Sequence, residues 1–172
     1  MSTREKHIID KNIPLSASII VVSDSLSAIG GKTWRKMDKS AKKAEEILRI
    51  NGIIIKNISV IADEINQIKN KISKEIESEV SLLLTIGGTG ISPRDVTIEA
   101  ITPLLEKELS GFGELFRYKT YEEVGTVSIM TRALAGVTQK TCIVCLPGSI
   151  NAVELGTNLI LEELLHIINL RI

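Results

Sequence analysis

A glycine-rich stretch near the middle of the chain has the residue types that bind a phosphate or carboxylate group. It follows an apolar run and contains Gly87, Gly88, Thr89, Gly90, Arg94, Asp95 and Thr97. Glycine lets the backbone approach a ligand closely and adopt positive φ, and free N–H groups at a helix N-terminus favour an anion. The stretch has neither the Gly-Lys-Ser/Thr ending of a Walker A loop nor the GxGxxG spacing of a dinucleotide site. It predicts an anion site, although a plain strand-to-helix turn explains the pattern about equally well.

Two aspartates could hold a cation beside that anion. Asp95 lies inside the glycine-rich stretch, and Asp63 follows the second apolar run that we predict to be a strand. Each also has a structural interpretation, because Ser92 and Asp95 resemble a capping box and Asp63 is a natural N-cap for the next helix. Mg²⁺ prefers one or two carboxylates together with substrate phosphates. Asp63 and Asp95 are therefore the predicted metal ligands.

Other polar residues follow the ends of predicted strands or lie in charged segments. Ser149 reads first as the N-cap of the last helix and second as part of an anion site. Arg94, Arg117 and Arg132 could clamp a phosphate, although most arginines lie solvated on surfaces. Six basic residues between positions 32 and 43 are typical of a solvated helix face, with a role toward polyphosphate as the alternative. They are Lys32, Arg35, Lys36, Lys39, Lys42 and Lys43.

The cysteines and histidines do not form a convincing metal or redox site. Cys142 and Cys145 are three residues apart within an apolar strand, so their side chains should point to opposite faces. We expect two buried thiols. His7 and His166 are isolated, and a zinc site would need more ligands. Trp34 could stack on a flat ring, but packing within its loop is the better interpretation.

Strands and helices alternate along the chain. Apolar runs predict strands at residues 17–22, 53–61, 80–86 and 141–146. Helices are expected at 40–50, after residue 63, from residue 93 or 94, near 112–122 and from 149 onward, with a strand or hairpin near 126–138. Residues 24–37 should form a long loop that acts as a lid. Residues 1–15 are expected to be an arm, either loose or docked on a neighbouring subunit, and residues 16–172 one domain.

This alternation predicts an α/β fold with three layers, in which a mostly parallel sheet has helices on both faces. Ligands of such sheets bind outside the carboxyl ends of the strands. Four loops directly follow predicted strands, so all four should converge on one edge. They begin at Ser23 and Asp24, at Ala62 and Asp63, at residues 87–95, and at Pro147, Gly148 and Ser149.

Composition argues against several classes of protein. The chain has 172 residues, which suits one domain, with 21 basic and 21 acidic residues. Nucleic-acid binders usually carry a basic excess, and 3% aromatic residues leave little for base stacking. Neither a signal peptide nor a membrane-spanning run is evident. We therefore expect a cytoplasmic protein that binds small molecules and neither nucleic acid nor membrane.

An ordered set of motifs resembles the MoaB/MogA family of molybdopterin-binding domains. The motifs lie at residues 22–25, 38–40, 62–64, 85–100, 111–117, 131–136 and 146–153. They cover roughly residues 15–165, and stretches 113–117 and 121–125 are closer to the MoaB branch. Four positions depart from the family pattern, where Gly, Pro, Ser and Pro are usual. They are Ala41, Ser110, Thr131 and Ala62, and the first three touch the presumed pterin side.

The resemblance implies an activity, a set of roles and an assembly. Active family members adenylylate molybdopterin with ATP and Mg²⁺ and release pyrophosphate, and the family forms trimers or dimers of trimers. Asp63 and Asp95 match its functional acidic positions. By the same resemblance, residues 87–90 would cradle phosphate, Ser23, Asp24, Pro147 and Ser149 would line the pocket, and Arg132 would pair with the substrate.

Two other functions stay open at the level of sequence. The chain could bind molybdopterin without catalysis, as a carrier or scaffold, because some MoaB-branch proteins are thought to have lost activity. It could also be a phosphate-binding hydrolase on the same fold, since a fold does not determine a function. The presence of both Asp63 and Asp95 favours the enzyme.

Overall fold

A computed structural model describes residues 13–31 and 33–171 of the chain. Within them, one sheet contains six strands in the order β2-β1-β3-β6-β5-β4. The strands are β1 (Ser16–Val22), β2 (Ile54–Ile61), β3 (Leu82–Ile86), β4 (Lys107–Glu108), β5 (Leu134–Thr138) and β6 (Thr141–Leu146). Strands β2, β1, β3 and β6 are parallel, whereas β5 runs antiparallel to both β6 and β4. The predicted α/β fold with a mostly parallel sheet is confirmed.

Seven α-helices lie within the described residues. They are α1 (Asp24–Ile29), α2 (Trp34–Met37), α3 (Lys39–Ile50), α4 (Ile65–Glu77), α5 (Thr97–Ile101), α6 (Ser110–Val124) and α7 (Ile150–Asn169), with 3-10 helices at Thr102–Leu104 and Gly125–Met130. Helices α3, α6 and α7 pack on one face of the sheet, and α4 and α5 pack on the other. Each face buries its own apolar cluster, which gives the three layers. None of the helices in the described ranges is long and apolar enough to span a membrane.

The apolar spacing of each helix explains the face that it buries. In α4, Ile68, Ile72 and Ile76 recur every four residues and are all buried against the sheet. Helix α3 begins where the Asp38 side chain accepts the Ala41 N–H at 2.9 Å. It ends at Ile50, with Asn51 as its C-cap and Gly52 next at a φ of 74°.

The two cysteines lie on opposite faces of β6, as predicted. Cys142 packs in the cluster under α3, α6 and α7, and Cys145 packs in the cluster under α4 and α5. Burial raises the pKa of each thiol to about 12. Neither thiol forms a disulfide, and both are apolar core groups rather than a redox pair.

Several sequence-based boundaries were wrong. Residues 24–37 contain helices α1 and α2 instead of one long loop, and Trp34 of α2 is buried, as the packing interpretation required. Helix α5 begins at Thr97 rather than at residue 93 or 94. The interval 126–138 holds most of a 3-10 helix before β5 begins. Residues 1–12 of the predicted arm and Lys32 lie outside the described residues, while Ile13 and Leu15 pack against the core.

A buried carboxylate on α4 joins that helix to the edge strand β2. Glu75 on α4 is 5% exposed, accepts a hydrogen bond from Asn57 on β2 and pairs with Lys71, both at 2.6 Å. Burial alone would raise the pKa of Glu75, but the bonds from Lys71 and Asn57 and the Lys71 charge lower it below its ordinary value. Glu75 therefore stabilises the protein in its charged form.

Replacing Glu75 with alanine should lower the free energy of unfolding at pH 7 by about 1–3 kcal/mol, because it leaves the half-buried Lys71 and Asn57 without their partner. Since the folded-state pKa is lowered, this contribution is present above the ordinary glutamate pKa and is lost as the pH falls through the folded-state value. Urea unfolding at pH 7 and in acid measures both effects. The control is Glu122→Ala, which breaks an exposed pair with Lys119, and equal losses for the two variants would contradict the prediction.

Candidate active site

Four loops meet at the carboxyl edge of the parallel strands, as the sequence predicts. The Ser23 N–H donates to the Ile61 carbonyl oxygen and the Gly87 N–H donates to the Leu146 carbonyl oxygen, both at 2.9 Å. The first bond joins the ends of β1 and β2, and the second joins the ends of β3 and β6. The Ser40 hydroxyl, at the start of α3, donates to the Gly148 carbonyl oxygen at 2.6 Å. Backbone and side chains thus hold the loop ends in fixed positions.

The glycine loop is packed against protein groups. Gly88 has φ of 61°, and a Cβ atom there would overlap the Asp63 carboxylate and the Thr97 hydroxyl. A Cβ atom on Gly90 would lie 2.7 Å from Asp95 Oδ2. These glycines therefore let two acidic side chains lie directly on the backbone of the loop. The sequence pattern predicts glycines that let a ligand approach, and it gives no sign of this packing.

A turn that precedes α5 shapes the acidic end of the loop. Asp95 Oδ2 accepts the Ser92 N–H at 3.0 Å, and the Asp95 N–H donates to the Ser92 carbonyl oxygen at 2.9 Å. The helix begins only at Thr97, whose N–H and hydroxyl donate to the carbonyl oxygens of Gly88 and Gly87. The predicted capping box at Ser92 was therefore wrong as a helix start. Thr89, inside the loop, is buried.

Asp63 is the least satisfied carboxylate of the site. The sequence suggested that Asp63 caps α4. In the structure, the Glu64 side chain takes that role by accepting the Asn66 and Gln67 N–H groups. Asp63 Oδ1 is buried and has no hydrogen-bond partner within the described residues. Burial raises the pKa of Asp63, the charges of Asp24 and Asp95 raise it further, and the Asp24 hydrogen bond and the Arg94 charge oppose the rise. Such a group favours binding a cation or a proton.

Replacing Asp63 with asparagine should make the unliganded protein more stable at pH 7. When the pKa of a carboxyl group is higher in the folded protein than in the unfolded chain, the free energy of unfolding falls as the pH rises through the folded-state pKa. The gain should be below about 1 kcal/mol, because water screens this partly exposed group, and it should vanish below about pH 3, where the carboxyl is protonated in both states. Urea unfolding at the two pH values tests this, with the exposed Glu46→Gln as the control. A variant less stable than the wild type at pH 7 would show that Asp63 is not under electrostatic strain.

Arg94 and Arg132 both bind other groups of the protein. Arg94 forms an ion pair with Asp24, the first residue of α1. Arg132 pairs with Glu99 on α5 and donates to the Gly90 carbonyl oxygen at 3.0 Å. Burial alone would raise the pKa of Glu99, but the Arg132 hydrogen bond and charge lower it. Arg132 thus has partners within the chain, in addition to the substrate pairing that the resemblance implied.

The basic run is mostly used in surface contacts. Arg35 pairs with Glu45, and Lys43 pairs with Glu154. Among the described members of the run, Lys39 lines a cavity at the sheet edge. The solvated-face interpretation therefore accounts for more of the run than a polyphosphate site does.

Three adjoining cavities lie along this edge, with volumes of about 470, 410 and 510 Å³. The first lies between the end of β1 and the start of α3, and Ser23 and Gly87 line it. The second lies between residues 87–90 and the 3-10 helix Gly125–Met130. The third lies between α6 and α7. Each is bordered by part of the loop formed by Pro147, Gly148 and Ser149, and Ser149 also caps α7 by accepting the Ala152 N–H at 3.2 Å.

The second cavity has a wall that sequence reasoning missed. Val127, Met130 and Thr131 line it together with Arg132 and Asp95. The strand or hairpin that the sequence predicts near residues 126–138 would not place these side chains in such a wall. The family motif at residues 131–136 was the one signal that pointed to it.

Within the described part of the chain, no three His, Cys, Asp or Glu side chains are grouped closely enough to hold a metal ion. Asp63 and Asp95 are nevertheless close enough that the Asp95 charge raises the pKa of Asp63. The arrangement can bind an anion at the loop and a cation beside it if the anion supplies further oxygen ligands.

Comparison with known proteins identifies the family. A family described as a probable molybdopterin binding domain matches residues 18–166. The chain is 38% identical to molybdenum cofactor biosynthesis protein B of Staphylococcus carnosus, with 97% of each chain covered. It is 39% identical to the protein of the same name from Staphylococcus epidermidis, covering 98% of this chain and 95% of that one.

A solved structure gives the same result. The tungsten cofactor synthesizing protein MoaB from Pyrococcus furiosus has a TM-score of 0.81 and 37% sequence identity, covering 92% of this chain and 98% of that chain. Sequence identity and fold thus agree over nearly the whole length. The chain belongs to the MoaB/MogA-like family of molybdenum cofactor biosynthesis proteins.

Proposed function

We propose that the protein is a molybdopterin adenylyltransferase that uses ATP and Mg²⁺ and releases pyrophosphate. The observation that carries the proposal is the buried, unpartnered Oδ1 of Asp63, held against Gly88 of the anion loop. An enzyme that joins two anions needs such a carboxylate beside backbone N–H groups. ATP as a substrate agrees with the cytoplasmic location that the sequence predicts.

The reaction requires mainly alignment from the protein. An oxygen of the terminal phosphate of molybdopterin forms a bond to the α-phosphorus of ATP, the bond from that phosphorus to the bridging oxygen breaks, and pyrophosphate leaves. The N–H groups of residues 88–90 and the N-terminus of α7 at Ser149 would orient the phosphates, with Gly87 bringing the loop backbone into place. Thr97 fixes the loop through its bonds to Gly87 and Gly88. Arg94 would contribute positive charge toward the phosphates, and Ser23 and Pro147 would line the pocket.

The residues present suit Mg²⁺. Asp63 and Asp95 would hold it with substrate phosphates and water, since Mg²⁺ is usually bound by one or two carboxylates. When bound, it would neutralise charge on the phosphates. The free Oδ1 of Asp63 is the atom best prepared to receive it.

The test is transfer of labelled AMP from α-labelled ATP to molybdopterin in the presence of Mg²⁺. The wild type should form adenylyl-molybdopterin, and the Asp63→Ala, Asp95→Ala double variant should not. Tight pterin binding without transfer would refute the enzyme and support a carrier or scaffold. Cleavage of ATP without molybdopterin would support a hydrolase.

We also propose that the protein forms a homotrimer or homohexamer, as the family resemblance implies. Exposed apolar side chains run along α6 and the following 3-10 helix, and Ile129 is the most exposed of them, at 80%. They are Leu115, Tyr118, Tyr121, Val124, Val127, Ile129 and Met130, all more than half exposed. Contiguous apolar patches on soluble proteins mark interaction sites, and closed symmetric assemblies are the common outcome.

Changing Val127 and Ile129 together to aspartate should lower the mass measured by light scattering to that of smaller species, because two charges would be buried in the contact. The matched control changes Ile50 and Ile54, which are 75% and 60% exposed on another surface, to aspartate. The control should keep the wild-type mass. A monomeric wild type, or an unchanged mass for the Val127 and Ile129 variant, would refute this interface.

A further inference from the structure

Asp24 lies where three loops of the site meet. It is the first residue of α1, directly after β1 and its cap Ser23. Its Oδ1 accepts the backbone N–H of Asp63 at 3.0 Å, and its Oδ2 pairs with the guanidinium of Arg94. One carboxylate therefore connects the end of β1 to the turn after β2 and to the glycine-rich stretch after β3.

These contacts contribute little to the core. Helix α1 buries none of its residues, and the Arg94 side chain is 77% exposed. Exposed ion pairs are worth at most about 1 kcal/mol. The main effect of Asp24 is therefore on where the Arg94 guanidinium lies relative to Asp63.

Asp24 holds the Arg94 guanidinium in an ion pair and so keeps it from Asp63 Oδ1. The Arg94 charge acts on Asp63, so the guanidinium lies within electrostatic reach of it. Asp63 Oδ1 is nonetheless buried and unpartnered. An arginine released from Asp24 would find Asp63 as a nearby anion, and a guanidinium pairs strongly with a carboxylate. That pair would occupy the atom that the cation needs.

We propose that Asp24 is a positioning residue that holds Arg94 away from Asp63 and so keeps the Asp63 carboxylate free to bind the divalent cation. This inference rests on the proposed function, because it takes Asp63 as the cation ligand. Asp24 touches neither the cation nor the phosphates in this role. It acts through Arg94.

The proposal predicts that removing Arg94 rescues the loss of Asp24. The asparagine in Asp24→Asn is nearly isosteric but cannot form the ion pair, so Arg94 should move to Asp63. Mn²⁺ binding in the presence of pyrophosphate, measured by electron paramagnetic resonance of free Mn²⁺, should weaken by about 10-fold or more, as when groups that orient metal ligands are removed. Asp24→Asn combined with Arg94→Gln should bind Mn²⁺ within about threefold of Arg94→Gln alone. Asp24→Glu, which keeps the charge, should bind more tightly than Asp24→Asn.

The outcomes separate this inference from the proposed activity. Unchanged Mn²⁺ binding in Asp24→Asn would overturn the role of Asp24. So would a double variant that binds Mn²⁺ no more tightly than Asp24→Asn, or a wild type that does not bind Mn²⁺. AMP transfer is measured in parallel. If the wild type and the variants bind Mn²⁺ as predicted but the wild type transfers no AMP, the role of Asp24 stands and the adenylyltransferase is refuted.

Discussion

Gly88→Ala should reduce AMP transfer to molybdopterin by at least about 100-fold, the cost of displacing a reacting group by about 1 Å. The new methyl group would overlap the Asp63 carboxylate and the Thr97 hydroxyl. It would also stand at φ of 61°, a conformation that costs L-residues about 1–2 kcal/mol. The substitution therefore moves Asp63 without changing any polar group. Steady-state transfer rates at saturating ATP and molybdopterin measure the loss.

The matched control is Gly111→Ala. Gly111 lies in the first turn of α6, and nothing lies within 4 Å of the position that its Cβ would take. Alanine favours a helix over glycine, so this variant should transfer AMP at the wild-type rate and be equally or slightly more stable. Full activity in Gly88→Ala would mean that the position of Asp63 does not matter to the reaction.

Leu84→Ala should lower the free energy of unfolding by about 2–5 kcal/mol, the range for large-to-small changes in a packed core. Leu84 is fully buried in β3, where it pairs with Ile19 of β1 and Val144 of β6. Its loss leaves a cavity beneath the strand that carries the glycine loop. Each 1 kcal/mol shifts the melting temperature of a chain of this size by about 2–4 °C, so calorimetry should show a large decrease.

The same substitution at Leu170 is the control. Leu170 caps α7 and is 58% exposed, so Leu170→Ala should change stability by no more than about 0.5 kcal/mol. Equal melting temperatures for Leu84→Ala and Leu170→Ala would contradict the prediction and would mean that the core collapses around the missing side chain.

The parallel half of the fold could be predicted from the sequence because each signal there is local. Apolar runs mark β1, β3 and β6, and the isoleucines of α4 recur at a helical spacing. Alternation with helices then implies parallel strands, and parallel strands bring their loops to one edge. The meeting of the loops at Ser23, Asp63, Gly87 and Pro147 follows from that rule.

The contacts that define the site could not be predicted, because they join residues far apart in the chain. Asp24 and Arg94 are separated by 70 positions, and Arg132 and Gly90 by 42. Local capping rules also predicted the wrong helix cap at two positions. Ser92 and Asp95 satisfy a capping pattern, but their bonds close a turn before the helix. Asp63 could cap α4, but Glu64 takes that role and leaves Asp63 to the site.

The buried cysteines make the protein convenient for site-selective labelling. Cys142 and Cys145 are the two cysteines of the chain, and with a pKa of about 12 roughly one thiol in 10⁵ is ionised at pH 7. Maleimide dyes react with accessible thiolates, so neither native cysteine has to be replaced before labelling. A cysteine introduced at the exposed Ala28 of α1 would carry the dye alone. Its fluorescence would report whether this short helix closes over bound nucleotide.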